Sequence, residues 1–473
     1  MKKIVLTGVA IVVAAALVGP KIVGSQFSQG IEDTVAAINN NPAYTASITS
    51  LESTWFNTQA QISVGVNMPD MGDLSEEPLD MSVDILVNGD HGPILTSNGF
   101  NLAWLYTQIE VLSGELPEGL TLKEDLPIYA LEAYTGLLGG STYTDKVVGM
   151  NYVNEENQVT IDFSGSQSEG SFSSSNYEGK TLGNGANVSG KMGDALAFEL
   201  TSLEADIEAE VGFVEMLEQG LYDSNTLFTI ANIKVDNLVD GTQTNVDSLA
   251  FNVTSSLDDN EGFGDVVMQT TLASAVSDGF NLSELITTIE LNNLEVAFFQ
   301  AYQKFSNEII DYAADPEKMA EATNTFFEEN LLSQLQAEPE YNISALSGKI
   351  NDSAFNGTMF AKVAGVTALP DTLEDTQFWA QHAVVNSELT LQQEAAEYFA
   401  KLMLSSQLKA NPQFAAMSPE ELDAIIAQQA APTLQALVQQ GMITQTDDGY
   451  AFNFSMKEGT ANLNGLEIPL SAF

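Results

Sequence analysis

The sequence predicts a β-dominated α+β fold with extended antiparallel sheets and two helical insertions. Three observations support this class. Apolar and polar residues alternate along many short segments between residues 59 and 293, as in Gln61-Ile62-Ser63-Val64. Clusters of Gly, Asn, Asp and Ser separate these segments, which is typical of strands joined by tight turns. Two longer segments, near residues 294–336 and 391–441, instead repeat their apolar residues at helical spacing.

The N-terminus carries a short apolar segment that we interpret as a membrane anchor. Met1-Lys2-Lys3 precedes an apolar run from Ile4 to Val18, and lysines before such a run mark a cytoplasmic end. This run spans only about 22 Å as a helix. Counting on to Val23, with Lys21 reaching the interface, gives enough length for a ~30 Å bilayer core. The alternative is a cleaved secretory signal ending near Ala14-Ala15-Ala16.

The two helical segments carry recognisable start and break signals. The first breaks at Asp315-Pro316, because proline cannot continue a helix from the preceding turn. The second contains Ser418-Pro419-Glu420-Glu421, where serine suits the N-cap, proline the first helical position and glutamate the third. Gly441 is expected to end that helix.

Together these patterns divide the chain into seven segments. The predicted boundaries are 1–24 for the signal anchor, 25–58 for a linker leading into the sheet, 59–293 for the antiparallel β-rich region, 294–340 for a helical insertion, 341–390 for a β segment, 391–441 for a helical segment and 442–473 for a C-terminal β-hairpin.

The composition excludes several classes of function. The chain has 65 acidic and 15 basic residues, all of them lysine, and a formal net charge of −50. Such a chain repels nucleic acid phosphates and lacks the arginine fork that binds them. The absence of cysteine excludes disulfides and zinc–cysteine sites. Many acids alternate with apolar residues, as Glu204, Asp206 and Glu208 do, so we interpret the charge as a solvated sheet face.

We find no catalytic, cofactor-binding or metal site in the sequence, and we expect a protein that is not an enzyme. P-loop, G-x-S-x-G and H-E-x-x-H motifs are absent. The chain has two histidines, His91 and His382, and neither has a nucleophile or carboxylate at a known catalytic spacing. A periplasmic hydrolase that uses one of them is the weaker alternative.

Several short motifs are spread over almost the whole chain. They comprise the anchor ending in Gly19-Pro20-Lys21, an aromatic pair, a His-Gly-Pro element after a strand, and a C-terminal Asn-Gly turn; the motif residues are Trp55, Phe56, His91, Gly92, Pro93, Asn464 and Gly465. Together they resemble the YdgA-like family of bacterial envelope proteins, a family of unknown function. In that family the aromatic pair follows arginine and glycine, but Ser53 and Thr54 stand here. This departure favours a structural role for the motif.

The resemblance implies a protein of the Gram-negative inner membrane, anchored through residues 4–23 with its main domain in the periplasm. It implies no established activity. We expect the sheet to offer a groove that binds lipid or another apolar ligand, with a lipid or an envelope protein as partner. The alternative is a structural or assembly partner in an envelope or motility complex.

Overall fold

The chain folds into two compact units rich in antiparallel strands. The computed structural model describes residues 2–39, with side chains from residue 18 onward, and residues 44–66, 81–96, 99–112, 118–212, 221–258, 262–309, 315–410 and 417–468, besides a few single residues. Unit 1 comprises residues 1–226 and 299–327, and unit 2 comprises residues 227–298 and 328–473. Strands account for 53% and helices for 25% of the structure, which confirms the β-dominated α+β class.

Unit 1 begins with one long helix, α1 (Lys2–Asn39), and continues with short and medium strands. These are β1 (Tyr44–Ser53), β2 (Asn57–Val66), β3 (Met81–His91), β4 (Ile94–Leu95), β5 (Asn101–Val111), β6 (Leu120–Leu122), β7 (Tyr129–Gly136), β8 (Ser141–Val147), β9 (Met150–Asn154), β10 (Val159–Phe163), β11 (Ser166–Phe172), β12 (Tyr177–Thr181), β13 (Ala186–Met192) and β14 (Leu196–Ala209).

The strands of unit 1 form a continuous antiparallel sheet. The strands pair in the order β1-β2-β3-β5-β7-β8-β11-β12-β14, and β4 pairs with the start of β5. The registers show that β6, β9, β10 and β13 extend β7, β8, β11 and β12, and these pieces pair in the order β6-β9-β10-β13-β14. Neighbours in sequence are mostly neighbours in space, as expected for strands joined by short turns. The alternation of Glu204, Asp206 and Glu208 on β14 places these three carboxylates on the exposed side.

The C-terminal half of α1 packs on this sheet. A packed helix therefore occupies the first part of residues 25–58, for which the sequence predicted a linker. Ile31 and Val35 are buried together with Ala60, Ile62 and Val87 of β2 and β3. The apolar residues of α1 recur every four positions and therefore form one stripe that the sheet covers. After the helix, the rest of the supposed linker contributes β1 and its turn to the sheet.

The predicted anchor, residues 4–23, lies mostly outside the described side chains. At its C-terminal end, Pro20 is fully buried in the fold. No helix is both long and apolar enough to cross a membrane in the part of the chain for which the structure places side chains.

Unit 2 begins within β15 (Ser224–Asn237) and combines longer strands with helices. The further elements are β16 (Gln243–Asp258), β17 (Phe263–Ser277), β18 (Phe280–Glu295), α2 (Val296–Ile309), α3 (Pro316–Gln336), β19 (Glu340–Ile350), β20 (Ser353–Val363), α4 (Thr376–His382), β21 (Ala383–Gln392), α5 (Gln393–Ala410), α6 (Pro419–Gln439), β22 (Thr444–Gln445), β23 (Gly449–Lys457), β24 (Thr460–Leu463) and β25 (Leu466–Ile468). Residues 299–327 of α2 and α3 are part of unit 1.

The strands of unit 2 also pair antiparallel, in the order β16-β17-β18-β19-β20-β21-β23-β24-β25. The helices α5 and α6 pack on each other and on β23. Their buried residues at helical spacing form one core with Tyr450: Ala396, Ala400, Leu404, Leu422, Ile426, Ala430 and Leu434. The structure therefore has helices in both segments for which the sequence predicts them.

Two local features differ from the sequence predictions. The segment around Phe378–Val384, which falls in the predicted β segment 341–390, begins as the helix α4. Asp375 caps it, because its carboxylate accepts hydrogen bonds from the backbone N–H groups of Gln377 and Phe378. The C-terminal segment 442–473, expected to be one hairpin, contains four short strands, and its last five residues lie outside the described part of the chain.

Candidate functional site

Five of the predicted motif residues meet at one end of the unit 1 sheet. His91 is the last residue of β3, and its backbone N–H donates to the carbonyl of Phe56 over 2.8 Å. Gly92 follows, and its N–H donates to the carbonyl of Trp104 over 2.7 Å. These bonds join the β1–β2 turn to β3 and β5, so Trp55, Phe56 and the His-Gly-Pro element form one site.

The aromatic pair occupies the tip of the β1–β2 hairpin. The N–H of Thr54 donates to the carbonyl of Asn57 over 2.7 Å, which closes a turn with Trp55 and Phe56 at its centre. Both rings are largely exposed, 48% for Trp55 and 57% for Phe56. The Thr54 hydroxyl oxygen accepts a hydrogen bond from the N–H of Asn57, so threonine supports the turn at a position next to the aromatic pair.

His91 is clamped between the sheet and α1. Its side chain is 2% exposed. Gly24 of α1 lies directly over the ring, where an added Cβ would come within 2.6 Å of Nδ1. Phe27, one helical turn further along α1, contacts the ring edge-on at a centroid distance of 6.5 Å. The imidazole is therefore part of the packing between α1 and the sheet, and it does not face a cleft.

The electrostatic surroundings favour a neutral His91. Burial lowers the pKa of His91 below its ordinary value, and Lys21 adds to this effect, whereas the Trp55 backbone and the Asp90 carboxylate oppose it. Neither ring nitrogen reaches full hydrogen-bond geometry with any described residue, so the interaction with the Trp55 backbone is a weak one. Asp90 is engaged by the Asn57 side-chain amide, which donates over 2.8 Å.

Gly92 and Pro93 set the path of the chain after His91. A Cβ at Gly92 would clash with the Ala103 backbone, so a residue without a side chain is needed where β3 crosses close to β5. The Gly92–Pro93 peptide bond is cis. The chain then forms β4, which pairs Ile94 with Leu102.

Asn464 and Gly465 belong to unit 2 and form the turn between β24 and β25. Both residues have positive φ, at 49° and 84°, which asparagine and glycine tolerate best. The Asn464 side chain also joins neighbouring segments, since its oxygen accepts from the N–H of Asn453 over 2.9 Å and its amide donates to the Gly441 carbonyl over 2.8 Å. The Asn464-Gly465 motif therefore forms a turn whose side chain also links neighbouring segments of unit 2.

The second histidine, unlike His91, hydrogen-bonds to the backbone through its ring. His382 ends α4, and its Nδ1 lies 2.8 Å from the carbonyl oxygen of Ala364. Its ring packs beside Phe378 at 4.6 Å. No group of three His, Asp or Glu side chains is placed to hold a metal ion among the residues that the structure describes.

Sequence reasoning identified Trp55 and Phe56 but missed the other large apolar side chains around the motif in unit 1. We call this set the apolar end: Trp55, Phe56, Ile94, Phe100, Leu102, Leu137 and Leu138, each at least 42% exposed. The available signal is the pair Leu137-Leu138 between glycines, an unusual composition for a turn.

Among the described residues, each unit contains a cavity. The cavity of unit 1, about 660 Å³, lies on the sheet face among Tyr134, Tyr143 and carboxylates such as Glu132 and Glu208. Burial raises the pKa of Tyr143, whose hydroxyl lies 2.9 Å from that of Tyr177. The cavity of unit 2 measures about 190 Å³ and is lined by β21, β23, α5, α6 and Ile443, with almost entirely apolar side chains.

One comparison with known proteins places the chain in a family. A family model described as "Bacterial protein of unknown function (DUF945)" matches residues 1–471. The chain matches no curated protein and no solved structure.

Proposed function

We infer that this chain, which belongs to the DUF945 family of bacterial proteins of unknown function, is a non-enzymatic inner-membrane protein that binds an acyl chain or a similar apolar ligand. YdgA is a member of the same family, so the resemblance drawn from the motifs is confirmed. In this proposal residues 4–23 anchor the chain in the membrane and the two units lie in the periplasm. The observation that carries ligand binding is the apolar cavity of unit 2.

The cavity lies between a helical layer and a strand layer. Leu389 and Leu391 of β21 form part of one wall, and Phe399 and Met403 of α5 form part of the other. The two small residues Ala396 and Ala400 stand one helical turn apart on α5 and are almost fully buried. Their short side chains leave the space that leucine or phenylalanine would fill.

The cavity is accessible from solvent at its α5 edge. Phe399 is 40% and Met403 is 38% exposed, although both line the apolar interior. Its volume of 190 Å³ is below the ~300–1,000 Å³ typical of sites for drug-sized ligands. A segment of a single acyl chain therefore suits this groove better than a bulky ligand.

Photocrosslinking tests this function on the full-length protein in nanodiscs. We expect palmitic acid with a diazirine on its chain to label the α5 peptide of the natural protein. Ala400→Phe fills the cavity and should reduce this labelling at least tenfold, whereas Ala427→Phe, at an exposed position of α6, should leave it unchanged. Crosslinked peptides are identified and quantified by mass spectrometry.

A second variant, Met403→Glu, gives a test that does not depend on whether Ala400→Phe folds. Met403→Glu places a charge at the solvent-exposed edge of the cavity and should also abolish labelling of α5, because burying an unpaired carboxylate next to an acyl chain is unfavourable. Equal labelling of α5 in the natural protein and in both cavity variants, all folded by circular dichroism, contradicts the proposal.

An assembly role in an envelope complex is the second candidate, and exposed apolar side chains in unit 2 favour it. Phe228, Phe251, Val276 and Ile286 stand on β15–β18 and are each at least 40% exposed. Crosslinking in intact cells from a photoreactive residue at position 251 tests this role. One discrete partner band would support it, and labelling of lipid alone would contradict it.

A further inference from the structure

Four neighbouring strand ends bring the apolar end together. Asn57 of β2 pairs with Asp90 of β3, and His91 pairs with Leu105 of β5. Ala103 of β5 in turn pairs with Gly136, the last residue of β7. Neighbouring strands lie ~4.8 Å apart, so the three steps from β2 to β7 cover only about 14 Å.

The turns at these strand ends direct large apolar side chains outward. The β7–β8 turn is closed by the N–H of Gly139, which donates to the Gly136 carbonyl over 3.1 Å, and Leu138 at its tip is fully exposed. The indole N–H of Trp104 donates to the Leu137 carbonyl over 3.1 Å and ties this turn to β5. An exposed patch of this kind marks an interaction surface, because soluble surfaces rarely group so many large apolar side chains.

Helix α1 leaves the sheet at the same place. An added Cβ at Gly19 would come within 2.8 Å of the Trp104 ring, so α1 lies against β5 at this point. Val18 and Ile22 of α1 are both more than half exposed. Toward the N-terminus the helix continues into residues 2–17, whose sequence is the apolar run. The apolar end therefore surrounds the exit of the segment proposed as the anchor.

Acidic residues are absent from the stretches of sequence that form the apolar end. Asp and Glu make up 65 of the 473 residues, yet none occurs in residues 1–31, 53–69, 91–109 or 133–144. The chain as a whole carries a net charge of −50, and the acidic residues elsewhere on its surface oppose approach to anionic lipid headgroups. Asp90 lies at the edge of this end, but the stretches that form it contain no acidic residue, so the end meets less of that repulsion. The charge pattern therefore favours a lipid surface as its occupant.

We propose that the apolar end lies in the interfacial layer of the membrane that α1 enters, with Trp55, Phe56, Phe100 and Leu138 among the acyl chains and headgroups. The proposal rests on the anchoring of residues 4–23 stated under the proposed function. Tryptophan suits this layer because its apolar ring can enter the acyl chains while its indole N–H hydrogen-bonds to the hydrated headgroups. The surface fixes the orientation of unit 1 relative to the bilayer, which a single anchoring helix alone does not.

Spin-label depth measurements on the full chain in phosphatidylcholine–phosphatidylglycerol nanodiscs test this orientation. The chain has no cysteine, so single substitutions can be labelled without background. Labels at Phe56→Cys and Leu138→Cys should show high oxygen and low nickel-chelate accessibility, as lipid-embedded groups do. Val153→Cys is the matched control, since this exposed residue of β9 lies beyond the far end of β8 and should report water. Val9→Cys reports the anchor itself.

The outcomes separate the two proposals. Lipid at position 9 with water at positions 56 and 138 overturns the docking surface and leaves the anchor in place. Lipid at positions 56 and 138 with water at position 9 supports the surface and removes the anchor. Water at all three positions overturns both. An independent check uses bromolipid quenching of tryptophan fluorescence in a variant whose sole tryptophan is Trp55. Replacing Phe56 and Leu138 with serine in this variant should reduce the quenching of Trp55 at least twofold.

Discussion

Gly24 is the residue on which the packing of α1 over His91 depends. A Cβ at this position would lie within 2.6 Å of Nδ1 of His91, and the buried ring has no room to move away. We therefore expect Gly24→Ala to lower the free energy of unfolding of unit 1 by about 1–3 kcal/mol, the usual cost of overpacking a core. Urea titration followed by circular dichroism measures this change.

Gly30 on the same helix provides the matched control. It is exposed, and an added Cβ there would meet no atom within 4 Å. Gly30→Ala should stabilise α1 by about 0.5–1 kcal/mol, because alanine has the higher helix propensity. Destabilisation of similar size by both substitutions would mean that helix backbone effects, not the contact with His91, determine the result.

Ser53 and Thr54 explain how the hairpin is built without the arginine and glycine expected from the family pattern. The Ser53 hydroxyl lies 2.9 Å from that of Thr58, a fully buried residue on the opposite strand. Thr54 closes the turn at Asn57. Both positions therefore have local structural roles in the hairpin. Turn hydrogen bonds of this kind join residues that are close in the chain.

At the scale of elements, the start of α6 follows from the sequence. The Ser418 hydroxyl oxygen accepts from the N–H of Glu421 over 3.3 Å, and the Glu421 carboxylate accepts from the N–H of Ser418 over 3.1 Å. Ser418→Ala removes one half of this capping box and should cost about 1 kcal/mol. Hydrogen exchange of the first turn of α6 should become faster by about fivefold, whereas Ser418→Asp should retain the natural rate. Unchanged exchange in Ser418→Ala contradicts the role of the cap.

The C-terminal half of α1 and the helix α4 show which elements the sequence left undecided. Residues 25–39 have a stripe formed by Phe27, Ile31 and Val35, but its partner lies on β2 and β3, which follow later in the chain. The seven residues of α4 are too few for a clear helical period, and the cap at Asp375 decides its start. In both cases a contact or cap, rather than a long pattern, selects the helix.

At the scale of the whole molecule, charge repulsion opposes folding. The net charge is −50, and several ion pairs that the structure describes, such as Lys304–Glu308 and Lys457–Glu458, are largely exposed. Exposed pairs contribute only about 0–1 kcal/mol each, so repulsion between carboxylates outweighs them. Raising the ionic strength from 0.01 to 0.5 M reduces the Debye length from ~30 Å to a few ångströms. We therefore expect higher stability in salt.

Differential scanning fluorimetry measures this effect as a change in Tm. A gain of about 2 kcal/mol corresponds to a rise of roughly 4–8 °C for a unit of this size. Sodium chloride and choline chloride should act equally, since screening does not depend on a specific cation. A falling Tm in both salts would show that the ion pairs, despite their exposure, dominate the electrostatic energy.

The sequence by itself determined the fold class, the two helical segments, the capping box of α6 and the turn residues Asn464 and Gly465. These follow from periodicity, propensity and hydrogen bonds between residues near each other in the chain. Only the tertiary structure decided that His91 is buried beneath Gly24 and that the apolar end forms where β2, β3, β5 and β7 end. The same holds for the cavity between α5, α6 and the strands. Their residues lie far apart in the chain, and strand pairing and helix packing alone bring them together.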